Sequence, residues 1–196
     1  MSGGASSRGA AKRLLKELER WSEESKEETG IERLGPPNDE DLLTWEAVIN
    51  GKGIGGGYDG WSPFARIPPP PPLVPCSDSG IFSLVRTKEG RWLLNIEIPS
   101  SYPIEPPKVE FVTPVVHPNV ALTTGEICLD LLKTAWTPAY SILEVVRAIR
   151  MLLSCPETDS PLNVDVAALL RGGDAVGGKA LVELWCKGEE GRYDGP

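Results

Sequence analysis

The chain has 196 residues, enough for one domain with a sizeable core and some appendages. Its apolar share of 40% and charged share of 24% are ordinary for a soluble globular protein, and a net charge of −8 argues against a nucleic-acid partner, which calls for a basic stripe. No apolar run reaches the roughly 18 to 20 residues of a membrane span, Met1 to Gly9 holds no apolar signal core, and Arg192 to Pro196 matches no sorting or lipid signal. A cytosolic or nuclear protein is expected.

In chain order, 1–9 is expected to be a flexible end. Ala10 to Trp21 reads as an amphipathic helix, with Ala11, Leu14, Leu15, Leu18 and Trp21 at three- and four-residue spacing. Lys12, Arg13, Lys16 and Arg20 cover the remaining surface, either as a solvated face or as a basic docking face. Gly35-Pro36-Pro37-Asn38 marks a turn, and Leu42 to Ile49 a strand anchored by Trp45 and Val48. Gly51 to Gly57 lacks the Lys-Ser/Thr ending of a phosphate loop. Pro68 to Pro72 must be extended and cannot enter a central strand. Ile81 to Val85 has the composition of a short strand.

Leu93 to Ile98 alternates as a strand does, with Leu94, Ile96 and Ile98 on one face, and Lys108 to Val112 is the next strand. Ser141, followed three residues later by Glu144, forms a capping-box pattern for a helix to about Ser154. Pro156 stops it. Two further helices are expected, over Asn163–Leu170 and Lys179–Lys187. A helix, a run of strands and then helices predict an α+β domain with an antiparallel sheet.

Of the four cysteines, Cys76, Cys128, Cys155 and Cys186, no two form a CxxC pair, and there is one histidine, so no metal site is expected. Cys155 ends an apolar helix and is expected to pack there. Cys128 stands in a denser setting: His117-Pro118-Asn119, then Gly125-Glu126-Ile127-Cys128-Leu129-Asp130, then Trp136-Thr137-Pro138-Ala139. Upstream lies Tyr102-Pro103-Ile104-Glu105-Pro106-Pro107-Lys108, and downstream Ser160-Pro161-Leu162-Asn163. Together, in this order and spacing, these motifs resemble the ubiquitin-conjugating enzymes, from the first helix to the last.

The resemblance implies the ubiquitin-conjugating fold: an N-terminal helix, a four-stranded antiparallel sheet and C-terminal helices over 10–187. It implies that Cys128 carries ubiquitin as a thioester. It makes Asn119 the donor to the tetrahedral oxyanion, His117 a brace for the Asn119 loop, and Ser160 a positioning residue at the gate, with Pro118 and Asp130 in support. Acyl exchange between thiols replaces like bonds by like, so exposure of the thiol and help for the oxyanion are what the site must supply. No cofactor is implied; ATP is used by the activating enzyme. The ubiquitin-activating enzyme would dock on the first helix through Lys12, Arg13 and Lys16. A RING-type ligase would use that helix with Ile104, Pro138 and Ala139.

The extra residue between Asn119 and Cys128, with Asp159 to Asp165 and Arg171 to Asp174, resembles the peroxisomal branch of the family. That branch implies a membrane-anchored peroxin tether, peroxisomal import receptors as substrates with a cysteine or lysine acceptor, and work at the cytosolic face of the peroxisomal membrane. The chain departs from the pattern at Trp61 to Glu89. This proline-rich stretch at 61–89 interrupts Tyr58-Asp59-Gly60 and Gly90-Arg91-Trp92. It reads as a solvent-exposed excursion at a strand-to-strand turn, or as an intron wrongly translated. Residues 188–196 are expected to be a flexible end. Three rivals stand beside this reading: a cysteine hydrolase using Cys128, His117 and Asn119, a non-catalytic module of the same fold, and conjugation of another ubiquitin-like protein.

Overall fold

The computed structural model describes residues 3–38, 40–55 and 90–196, and of residues 3–8 and 175 the backbone alone. The expected insertion at 61–89, Cys76 and the short strand at Ile81–Val85 lie outside the described residues.

The first helix, α1, spans Gly3–Glu24 and so begins inside the stretch expected to be a flexible end. Its buried face is Ala10, Leu14 and Glu17, with Leu18 and Trp21 half-buried. Leu15 was expected on that face but is exposed. One residue turns an α-helix by about 100°, which carries Leu15 off the stripe that Leu14 holds.

Four strands follow: β1 Ile31–Gly35, β2 Thr44–Asn50, β3 Arg91–Glu97 and β4 Lys108–Phe111. They form one antiparallel sheet in the order β1-β2-β3-β4. The inward residues alternate as strand geometry requires: Trp45, Ala47 and Ile49, then Trp92, Leu94 and Ile96, then Val109 and Phe111. β1 was not expected from the sequence. At the junction of β2 and β3, the N–H of Gly51 donates to the Gly90 carbonyl at 2.8 Å.

Helix α2 spans Ile142–Ser154, and its capping box is complete: Ser141 Oγ accepts from the Glu144 N–H, and the Glu144 carboxylate accepts from the Ser141 N–H. Ile142, Val145, Val146, Ile149 and Leu153 join the core. Helices α3 (Val164–Arg171) and α4 (Ala175–Lys187) are capped by Asn163 and Asp174. Cys155, expected to be packed, is exposed, because it lies beyond the last helical turn and off the apolar stripe. Cys186 is buried in α4, and burial pushes its thiol up to about 11.

The last residues, expected to be a flexible end, are tied to β3. The Tyr193 N–H donates to the Arg91 carbonyl at 2.7 Å. The Arg91 guanidinium lies over the Tyr193 ring, 5.1 Å from its centroid, and donates to the carbonyls of Tyr193 and Gly195. It also pairs with Glu32 at 2.6 Å.

Candidate active site

Between β4 and α2 the chain follows an irregular path held by a few backbone bonds. Isolated bridges pair Val120 with Ile127 and Glu110 with Glu126. Beside the first, the Cys128 N–H donates to the Asn119 carbonyl at 2.8 Å. This brings the thiol and the expected oxyanion donor onto adjoining strands of a narrow loop. Cys128 is partly exposed. Asp130 is exposed and opens a short 3-10 turn, Asp130–Leu132, in which its carbonyl accepts from Lys133 and Ala135.

Gly125 makes the turn before Cys128 possible. Its φ is +71°, and a Cβ there would stand 1.9 Å from the Phe111 carbonyl oxygen. Only glycine fits a left-handed turn pressed this closely onto a strand.

His117 is 1% exposed. Its Nδ1 accepts from the Asn119 N–H at 3.1 Å, and it bonds the backbone of Leu152. Burial pushes its pKa down to about 4, against a smaller upward pull from that second bond. The ring is therefore neutral near pH 7, with Nδ1 already engaged as an acceptor. That geometry suits a brace and removes the basis of the hydrolase reading, in which His117 would accept a proton.

Asn119 is also 1% exposed. Its Nδ2 donates to the Glu157 carbonyl at 2.7 Å and its Oδ1 accepts from the Glu157 N–H at 2.8 Å. The side-chain amide thus grips both backbone groups of one residue of the 156–163 loop as a neighbouring strand would. The Pro118 carbonyl grips the other end of that loop, accepting from the N–H groups of Leu162 (2.8 Å) and Asn163 (2.9 Å). Ser160 lies exposed between these two anchors. Glu157 had no signal in the sequence, because its part is played by its backbone.

The expected partner-docking residues are brought onto one side. Trp136 Nε1 donates to the Pro103 carbonyl at 2.9 Å, and its ring lies 6.0 Å from that of Tyr102 and 6.1 Å from that of Tyr140. This joins the turn bearing Ile104, which is 74% exposed, to the loop bearing the exposed Pro138 and Ala139. The first helix is joined through Glu17, a buried carboxylate absent from the sequence reading. It accepts from Arg13 Nε (2.6 Å), the Tyr102 hydroxyl (2.7 Å) and the Ile142 N–H (2.8 Å). Arg13 also donates to the Tyr140 carbonyl, so its guanidinium is largely committed inward, whereas Lys12 and Lys16 are exposed.

Comparison with known proteins agrees with this arrangement. The family described as "Ubiquitin-conjugating enzyme" matches residues 87–176. A relative from Gibberella zeae, "Ubiquitin-conjugating enzyme E2 PEX4", is 62% identical over 192 residues, covering 98% of this chain and 95% of its own. "Ubiquitin-conjugating enzyme E2 pex4" of Dictyostelium discoideum is 37% identical over 177 residues, covering 90% and 97%. Among solved structures, H. polymorpha Pex4p in complex with the soluble domain of Pex22p superposes with a TM-score of 0.69 at 31% identity, over 89% of this chain and 94% of that one. With the expected helix, four-stranded sheet and C-terminal helices all present, the chain belongs to the ubiquitin-conjugating enzymes, the E2 transferases.

Proposed function

We propose that Cys128 accepts ubiquitin as a thioester from the ubiquitin-activating enzyme and passes it to a cysteine or lysine of a peroxisomal import receptor, for the receptor's recycling. The observation that carries the chemistry is the partly exposed thiol of Cys128 beside Asn119, joined by the 2.8 Å backbone bond. The peroxisomal role rests on similarity to the Pex4 relatives. The solved complex of Pex4p with Pex22p supports a membrane-anchored peroxin tether, which would hold the chain at the cytosolic face of the peroxisomal membrane. No helix among the described residues is long and apolar enough to cross a membrane. A RING-type ligase would engage Ile104, Pro138 and Ala139, and Lys12, Arg13 and Lys16 would meet the activating enzyme. His117 and Pro118 hold the loop, Ser160 positions the approach at the gate, and Asp130 starts the turn behind the thiol. The chain itself takes no cofactor, ATP being consumed by the activating enzyme.

The deciding experiment incubates the chain with ubiquitin, activating enzyme and ATP. A ubiquitin adduct that reductant removes, and that Cys128→Ala abolishes, is expected. An adduct that survives the substitution would reject Cys128 as the carrier.

A further inference from the structure

One buried carboxylate meets all three segments that carry the ligase-docking residues. Glu17 is 8% exposed and shares the inward stripe of α1 with Ala10 and Leu14. Its Oε1 accepts from Arg13 Nε and from the Tyr102 hydroxyl, and its Oε2 accepts from the Ile142 N–H. Tyr102 stands two residues before Ile104, and Ile142 opens α2 three residues after Ala139. Arg13 extends the contact, donating to the Tyr140 carbonyl at 3.1 Å. The same three segments leave apolar side chains exposed: Leu15 of α1, Ile104 of the turn, and Pro138, Ala139 and Tyr140 of the loop.

Stability alone does not call for a charge at this place. Taking a carboxylate out of water costs several kcal/mol, and well-packed apolar side chains of similar volume often serve a fold as well as a buried ion pair does. A carboxylate adds direction: two oxygens in one plane fix where three donors must sit. An apolar contact would hold the segments together without setting their relative placement.

We propose that Glu17 is a positioning residue for ligase-dependent transfer: it sets α1, the Ile104 turn and the Pro138–Ala139 loop at the spacing that a RING-type ligase meets. It does so without reaching the thiol, since none of its three donors belongs to the loop of Asn119 and Cys128. The proposal rests on Ile104, Pro138 and Ala139 as the ligase surface.

Glu17→Gln tests it, keeping the volume and removing the charge. Whichever way the amide is turned, its NH2 faces a donor, the Ile142 N–H or Arg13 Nε. The full chain is loaded with ubiquitin and the activating enzyme is quenched. Discharge to free lysine is then timed alone and across a titration with a purified RING domain that accelerates the wild-type chain, at a temperature where circular dichroism shows every variant folded. Loading and unstimulated discharge should match wild type. Half-maximal stimulation should need about tenfold more RING domain, a change of about 1.4 kcal/mol, with the maximal rate retained. Tyr102→Phe, which removes one bond and keeps the carboxylate, should shift the midpoint less, in the same direction. An unchanged midpoint in Glu17→Gln would overturn the proposal, as would equal slowing of loading, unstimulated and stimulated discharge, the mark of a merely structural loss. Ile104→Ala, titrated alongside, separates the two readings: no shift there rejects the ligase surface itself, whereas a shift there without one in Glu17→Gln rejects Glu17 alone.

Discussion

The N–H of Cys128 and the carbonyl of Asn119 are hydrogen-bonded at 2.8 Å, although eight residues separate them in the chain. One backbone bond therefore sets the thiol's position relative to an amide that is itself clamped on Glu157. For Asn119 to steady an oxyanion, its Nδ2 must offer its second hydrogen or leave the Glu157 carbonyl. Asn119→Ala and Asn119→Asp both remove that donor, and discharge of loaded enzyme to free lysine is expected to slow by roughly 10²- to 10³-fold. Single-turnover discharge, with loading measured separately, checks this; an unchanged discharge rate would reject the donor role.

His117 makes stability depend on pH in a defined window. Its folded pKa of about 4 lies below the ordinary 6.5, so the unfolded chain takes up the proton first as pH falls. The contribution is fully present above about pH 6.5 and is lost progressively down to about pH 4, a total of roughly 3 kcal/mol. Denaturant unfolding across that range measures it. His117→Gln should flatten the slope between pH 4 and 6.5.

Glu17 holds three elements with one carboxylate, so its loss should exceed that of any single donor. Glu17→Ala is expected to destabilise the fold by about 3 kcal/mol, and Tyr102→Phe by about 1 to 2 kcal/mol. The double variant should lose less than the sum, because the two remove a shared bond. Chemical denaturation of all four proteins closes the cycle; strict additivity would show that the Tyr102–Glu17 bond contributes nothing.

Gly125→Ala places a methyl group against the Phe111 carbonyl in a backbone conformation that disfavours a Cβ. A loss of at least about 2 kcal/mol is expected, with slower thioester loading because the turn leads directly into Cys128. Unfolding curves and a loading time course would show both, and a fully stable, fully loaded variant would contradict the close packing.

Ile104 is largely exposed on its turn. Ile104→Ala should leave stability and loading unchanged and weaken ligase-stimulated discharge by about tenfold, the range of an apolar anchor in an interface. Parallel loss of loading would reject the division between the two docking surfaces.

Much of this was legible in the residues. The alternation of Trp92, Leu94 and Ile96 and the Ser141–Glu144 box state their structures locally, and the motifs around Cys128 point to its neighbours. β1 was not legible, since it is short, carries Glu32 and Arg33, and shifts register between Ile31 and Arg33, which breaks the alternation. Glu17 left a faint signal: a carboxylate at the helical spacing of Leu14 and Trp21, inside the apolar stripe. Arg13 lies one helical turn away, but the other two partners of Glu17 come from 85 and 125 residues away, so no local pattern announces them. Leu15 and Cys155 misled because apolar character marks a candidate for burial, while the helix phase decides which residues face inward.

The Arg91 clasp makes the tail a reporter on the opposite end of a strand. A single guanidinium meets Glu32 of β1, starts β3 and holds Tyr193 and Gly195. Loosening of the sheet at its β1–β3 corner would therefore surface first as protease cleavage near Tyr193, far along the sequence from the strand that had moved.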